Sequence, residues 1–137
     1  MDEIIQNVLT CIKKVKNELG DFYKENIYQN ALRIELERLG YYCGTEVIIP
    51  IHYSGIYIGF ERADIVIYHT STPYNIKLII ELKSQSTRLT NKETVQLKKY
   101  LKNVKCERGI LVNFYEVPEI LCVTDESTEK ILYDTLR

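Results

Sequence analysis

Apolar residues first recur at helical spacing. Ile5, Val8, Ile12, Val15 and Leu19 form one stripe of a helix from Asp2 to about Leu19, which Gly20 ends. A second stripe, Ile27, Tyr28, Ala31, Leu32 and Leu39, predicts a helix from about Tyr23 to Leu39 stopped by Gly40. Both amphipathic helices are expected on one side of a sheet. The period then falls to two. Val47, Ile49, Ile51 and Tyr53 alternate with Ile48, Pro50 and His52, as in a strand, and Pro50, lacking an N–H, points to an edge or a bulge.

Ser54-Gly55 is a turn into a second strand, Ile56 to Ile67, with a bend at Gly59. After a loop around Thr70 to Asn75, a third strand covers Lys77 to Lys83. Thr90 or Asn91 caps a helix running to about Val104, with Leu97, Leu101 and Val104 inward. Gly109 to Phe114 is almost wholly apolar, as a buried central strand should be, and Ile120 to Val123 follows the Glu116-Val117-Pro118-Glu119 turn. The last dozen residues, polar around Ile131, Leu132 and Tyr133, admit a docked strand, a helix or a frayed end. The expected order is ααβββαββ: a single α/β domain over 1–137 with a mixed central sheet flanked by helices.

Composition narrows the class. The chain's 137 residues support one core rather than two, and 45% apolar with 27% charged residues describes a folded globular protein. No apolar run reaches membrane-span length, and Met1-Asp2-Glu3 does not open a secretory signal. The expectation is an intracellular protein, cytoplasmic or nuclear, with no membrane partner. Cys11, Cys43, Cys106 and Cys122 are too far apart for a zinc knuckle or redox pair and are expected as free thiols.

Net charge is −1, but it is unevenly spread. Between Ser84 and Gly109, Arg88, Lys92, Lys98, Lys99, Lys102, Lys105 and Arg108 face only Glu93 and Glu107, whereas the segment after Phe114 is acidic. Such a basic stretch suits a polyanion on one face, or simply a solvated helix. Arg88, Lys92 and Lys99 are candidate phosphate contacts.

Two features break apolar strands. Asp64 sits between Ala63 and Ile65, and Glu81 and Lys83 bracket Leu82. Residues two apart share a strand face, so Glu81 and Lys83 project together, and pairing of the second and third strands brings Asp64 near Glu81. Two close carboxylates raise each other's proton affinity unless a cation joins them, and Mg²⁺ or Mn²⁺ favours such oxygen ligands. On spacing alone the commoner reading is a pair of strand-end surface carboxylates with Lys83 completing a salt bridge. Glu25 and Tyr28 share one face of the second helix, and Gln96 and Tyr100 one face of the basic helix. Glu25 is a candidate extra carboxylate and Gln96 a candidate partner for a scissile phosphate or a water. Tyr100 either supports a carboxylate or packs on the sheet. Asn113 braces the sheet or reaches the site, and His52 and His69 carry no motif.

Taken in order, Glu25-Asn26-Ile27-Tyr28, Ala31-Leu32, Glu35-Leu36, Arg62-Ala63-Asp64, Ile80-Glu81-Leu82-Lys83, Gln96-Leu97, Tyr100-Leu101 and Gly109-Ile110-Leu111-Val112-Asn113-Phe114 resemble the small GxxExxY proteins, a branch of the PD-(D/E)XK nuclease superfamily. The resemblance spans about Leu19 to Val123. It implies a restriction-endonuclease-like fold and a divalent-metal nuclease acting on nucleic acid, DNA rather than RNA. Asp64, Glu81 and Lys83 would form the catalytic core, with Glu25 the helical acid and Gln96 the associated helical polar residue. Metal ligands would be Asp64, Glu81, Glu25 and the Leu82 carbonyl, with Mg²⁺ or Mn²⁺ as cofactor. Phe22 stands where the signature glycine falls, and Ala63 replaces the proline before Asp64. The competing expectation is a non-catalytic nucleic-acid-binding or protein-interaction module that keeps the nuclease fold. A homodimer is compatible with either.

Overall fold

In a computed structural model that describes residues 2–71 and 75–136, the first helix, α1 (Glu3–Leu19), starts where the Asp2 carboxylate accepts a hydrogen bond from the Ile4 N–H at 3.2 Å. It ends at Gly20. The second helix, α2 (Glu25–Arg38), starts two residues later than its pattern predicts. Then come β1 (Tyr42–Tyr53), β2 (Ile56–Tyr68) and β3 (Ile76–Lys83), followed by α3 (Asn91–Val104). Last are β4 (Gly109–Asn113), β5 (Glu119–Val123) and β6 (Thr128–Ile131), with a short 3-10 turn at Tyr133–Thr135. The expected order thus gains a strand. The polar tail docks because the edge of β5 offers unpaired N–H and C=O groups and Ile131 reaches the core. Residues 72–74 of the predicted loop from Thr70 to Asn75 lie outside the described residues.

The sheet order is β1-β2-β3-β4-β5-β6. Every neighbouring pair is antiparallel except β3 and β4, whose parallel pairing requires the crossover through α3. As expected, α1 and α2 share one face, where Val8, Ile12, Leu32 and Leu36 pack on Ile65, Ile67, Leu78, Ile80 and Leu82. On the other face Leu97, Tyr100 and Leu101 of α3 pack on Ile49, Ala63, Val66, Ile79 and Leu111.

β1 is an edge strand, so the missing N–H of Pro50 is tolerated. Ser54 and Gly55 both have positive φ, as a two-residue hairpin turn requires. Beside Gly59 the pairing shifts from Ile51–Gly59 to His52–Tyr57, leaving Ile58 as the extra residue of a bulge. β2 pairs with β3 only from Ile65 to Tyr68, so the outer half of the β1–β2 hairpin overhangs the sheet. All four cysteines are free thiols. Among the described residues no helix is long and apolar enough to cross a membrane.

A capping box begins α3. The Glu93 carboxylate accepts from the Thr90 N–H (2.9 Å) and hydroxyl (2.6 Å), while the Thr90 hydroxyl accepts from the Lys92 N–H. Burial pushes the Glu93 carboxyl up, but these bonds and one from Gln85 outweigh it and hold the group at about 2. Because that value is depressed, the stabilisation is present above the ordinary carboxylate range and is lost as pH falls from about 4.5 towards 2. Thr90→Ala should cost about 1 kcal/mol at neutral pH. It should also flatten the stability profile over that acidic window, measured by urea denaturation at stepped pH.

Candidate metal centre

The centre lies where β2 leaves β3. The Ile79 N–H donates to the Arg108 carbonyl and the Lys83 carbonyl accepts from the Phe114 N–H, so these residues turn their peptide groups towards β4. Ile80 and Leu82 therefore turn theirs towards β2. Past Ile65 no backbone partner meets Leu82. Instead the Leu82 N–H donates to Asp64 Oδ2 at 2.8 Å. The Leu82 carbonyl, on the same side of the strand as its N–H, points into the same gap.

Asp64 occupies a break in the strand's alternation. Ile65 and Ile67 belong to the core under α1 and α2, whereas Ala63 belongs to the core under α3. Register places Glu46, itself at φ 51°, opposite Asp64 between the Thr45–Ile65 and Val47–Ala63 pairs.

Glu81 and Lys83 follow Ile79 to the α3 face, as their spacing predicts. Glu81 Oε1 is buried and has no hydrogen-bond partner among the described residues. Burial, then hydrogen bonding to Asp64 and the Asp64 charge, push the Glu81 carboxyl up to about 10, and the nearby Lys83 ammonium only partly offsets this. Burial also raises the Glu25 carboxyl, helped by the charges of Asp64 and Glu46 and opposed by Lys83. Glu25, the first residue of α2, thus lies within electrostatic reach of both Asp64 and Lys83.

Two contacts hold Glu25 there. The Ser84 hydroxyl donates to the Tyr23 carbonyl at 2.6 Å, tying the residue after Lys83 to the turn before α2. Tyr28 is fully buried, stacks on Phe114 at 4.5 Å and donates its hydroxyl to the Gly20 carbonyl at 2.6 Å. Tyr28 is therefore a strut of the α1–α2 turn. Glu35 has a similar part, bridging to Lys14 of α1 at 3.0 Å.

On α3 the buried Tyr100 both packs and bonds. Its hydroxyl donates to Glu61 Oε2 at 3.4 Å and accepts from Gln96 Nε2 at 2.8 Å. Burial, then the charges of Glu81 and Glu61, push the Tyr100 hydroxyl up, so its oxygen keeps its proton beside the centre. Gln96 is exposed, with its amide given to Tyr100. Lys92 and Lys99 flank a cleft of about 830 Å³ whose wall includes Gln96, Tyr100, Glu61 and Ile51. Arg88 is not with them. It stands 4.0 Å from Glu119, in a separate cleft beside the β4–β5 turn. Asn113 braces rather than reaches the site: its side chain accepts from the Gln85 and Tyr115 N–H groups and donates to the Gln85 and Thr87 carbonyls, clamping the segment between Lys83 and α3.

Among the described residues no group of three or more His, Cys, Asp or Glu side chains is gathered to hold a metal ion. The expected set of Asp64, Glu81, Leu82 and Glu25 thus reduces to two carboxylates and a carbonyl facing one gap, with Glu25 at longer range. That donor set suits a cation that keeps several waters and takes one or two carboxylates, as Mg²⁺ does. The orphaned, buried Glu81 oxygen beside a second acid is the group such a cation would satisfy. Glu46, Glu61 and Ser84 join the site without a motif in the sequence. Glu46 lies across from Asp64 because β1 begins at Tyr42 rather than Val47, whereas Glu61 and Ser84 carry no local signal.

A model of the PD-(D/E)XK nuclease superfamily matches residues 2–121 of the chain. No curated protein and no solved structure matches it significantly.

Proposed function

Because the chain belongs to the PD-(D/E)XK nuclease superfamily, we propose that it is a divalent-metal-dependent nuclease hydrolysing phosphodiester bonds, in DNA rather than RNA, with Asp64, Glu81 and Lys83 as its catalytic core. The observation that carries this reading is the buried, unpartnered Glu81 oxygen beside Asp64 in the gap where β2 leaves β3. Within the superfamily we place it in the GxxExxY branch, on Glu25 at the head of α2 and Tyr28 three residues on.

Asp64, Glu81 and the Leu82 carbonyl would hold Mg²⁺ or Mn²⁺. When bound, that ion supplies Lewis-acid polarisation of a phosphoryl oxygen and lowers the pKa of a water. Lys83, on the same face as Glu81, places a fixed positive charge against the phosphate as its negative charge grows. Glu25, at the head of α2 and within electrostatic reach of Asp64 and Lys83, orients a water at the end of β3. Asn113 keeps the backbone after Lys83 in place, and Tyr100 keeps Glu61 tied to α3. Lys92 and Lys99 bind flanking phosphates along the α3 cleft.

End-labelled single- and double-stranded DNA and RNA, incubated with Mg²⁺, Mn²⁺ or chelator, test this reading. Expected is DNA cleavage that needs the metal and is lost in Asp64→Asn and Lys83→Met variants that remain folded. Lys99→Ala should weaken binding and lower its salt dependence. The competing module reading draws on the lack of a three-side-chain ligand group. Nucleic-acid binding unchanged in the variants, without cleavage by any form, would favour it.

A further inference from the structure

Phe22 holds a left-handed backbone, φ 69°, that is costly for any residue with a Cβ, yet its ring is 67% exposed. Burial therefore returns little for the strain. The ring meets Tyr115 edge-on, with centroids 5.2 Å apart and planes at 62°, and Tyr23 beside it is also exposed. Strain held at an exposed aromatic next to a polar centre points to a ligand contact rather than to packing.

The pair is fixed to the centre from both sides. Phe22 precedes Glu25 by three residues, and the adjoining Tyr23 carbonyl is bonded to Ser84, next to Lys83. Tyr115 follows Asn113 by two residues, and Asn113 pairs in register with Lys83. Tyr115 thus stands in the bend that follows β4, just past the strand end that pairs with Lys83. The surroundings also suit a strand. Exposed Lys24, the N-cap residue of α2, adds a cation to the same turn. An exposed π-face with a nearby cation is how proteins hold an unpaired base and its backbone.

We propose that Phe22 and Tyr115 form a stacking platform for an unpaired base of the DNA strand whose phosphate lies at the Asp64–Glu81 centre. This rests on the nuclease reading and extends it: the substrate class is single-stranded DNA or a frayed DNA end, entered from the α1–α2 turn. Inside a duplex both faces of each base are covered by its stacked neighbours, so paired DNA away from its ends offers this platform no free π-face.

Fluorescence anisotropy of the full chain in chelator, with labelled oligothymidine and an abasic strand of equal length, tests the platform. The parent should bind oligothymidine about tenfold more tightly than the abasic strand, the scale of one base stack. Phe22→Gly, which relieves the backbone strain and should fold at least as well, should lose that preference, and Phe22→Tyr should restore it. Tyr115→Ala should lower it. A Phe22→Gly protein that keeps the full preference overturns the platform. If the parent still cleaves DNA with Mg²⁺ in that case, the nuclease reading stands alone. A parent that neither binds nor cuts any strand overturns both.

Discussion

Glu81→Gln is expected to give a protein more stable than the parent in chelator, yet one that cleaves DNA roughly two to three orders of magnitude more slowly with Mg²⁺, the scale of losing one fixed electrostatic group from a dry site. The two effects share a cause. Glu81 in the folded protein sits at about 10, far above its ordinary value of 4.5, because of burial and Asp64. A raised value means its contribution is fully present below about 4.5 and is lost as pH rises through 10. Between those limits the folded chain holds a proton that the unfolded chain releases. Parent stability then falls with pH by at most about 1.4 kcal/mol per pH unit for this one proton.

Glutamine does not titrate and puts no charge beside Asp64, so the variant's advantage should widen from pH 5 to pH 9. Added Mg²⁺ should stabilise the parent and leave the variant unchanged. Urea denaturation at stepped pH, with and without metal, reads all three effects. Parallel pH profiles for the two proteins would sink the explanation.

Tyr28→Ala should cost about 3–5 kcal/mol, the usual range for removing a fully buried aromatic ring. It removes the parallel stack on Phe114, the hydroxyl bond to Gly20 and the ring lying 5.6 Å from the Lys16 ammonium. Lys16 is itself buried and paired with Asp21 at 2.8 Å, so its surroundings loosen as well. Tyr28→Phe keeps the stack and should cost only about 1 kcal/mol for the lost hydrogen bond. Because the Gly20 bond fixes the turn that leads to Glu25, Tyr28→Phe should still reduce cleavage modestly at a temperature where the protein is fully folded. Differential scanning calorimetry with a parallel cleavage assay separates the two variants. Equal melting temperatures would contradict the strut.

What could be read ahead of the structure follows the range of the forces involved. Periodicity is local, so α1, α2, α3 and the central strands were legible from the 3.6- and 2-residue patterns. So was the shared face of Glu81 and Lys83, because a strand dictates it. The segment of β6 admits several conformations on its own, because Thr128–Ile131 becomes a strand only by pairing with β5, a contact between segments of weak intrinsic pattern. Glu46 and Glu61 join the centre through register and through α3, which no local pattern encodes. Gln96 shows the limit of helix-face reasoning. The spacing correctly put it beside Tyr100, but not that Tyr100 would take its amide. Arg88 shows the same limit for charge: a basic run does not say which of its members shares a cleft.

If Asp64 and Glu81 hold one divalent cation, anomalous diffraction from crystals soaked in Mn²⁺ should show a single strong manganese peak between the two carboxylates and near the Leu82 carbonyl, absent from Glu81→Gln crystals. A peak elsewhere in the molecule, or none at saturating Mn²⁺, would contradict it.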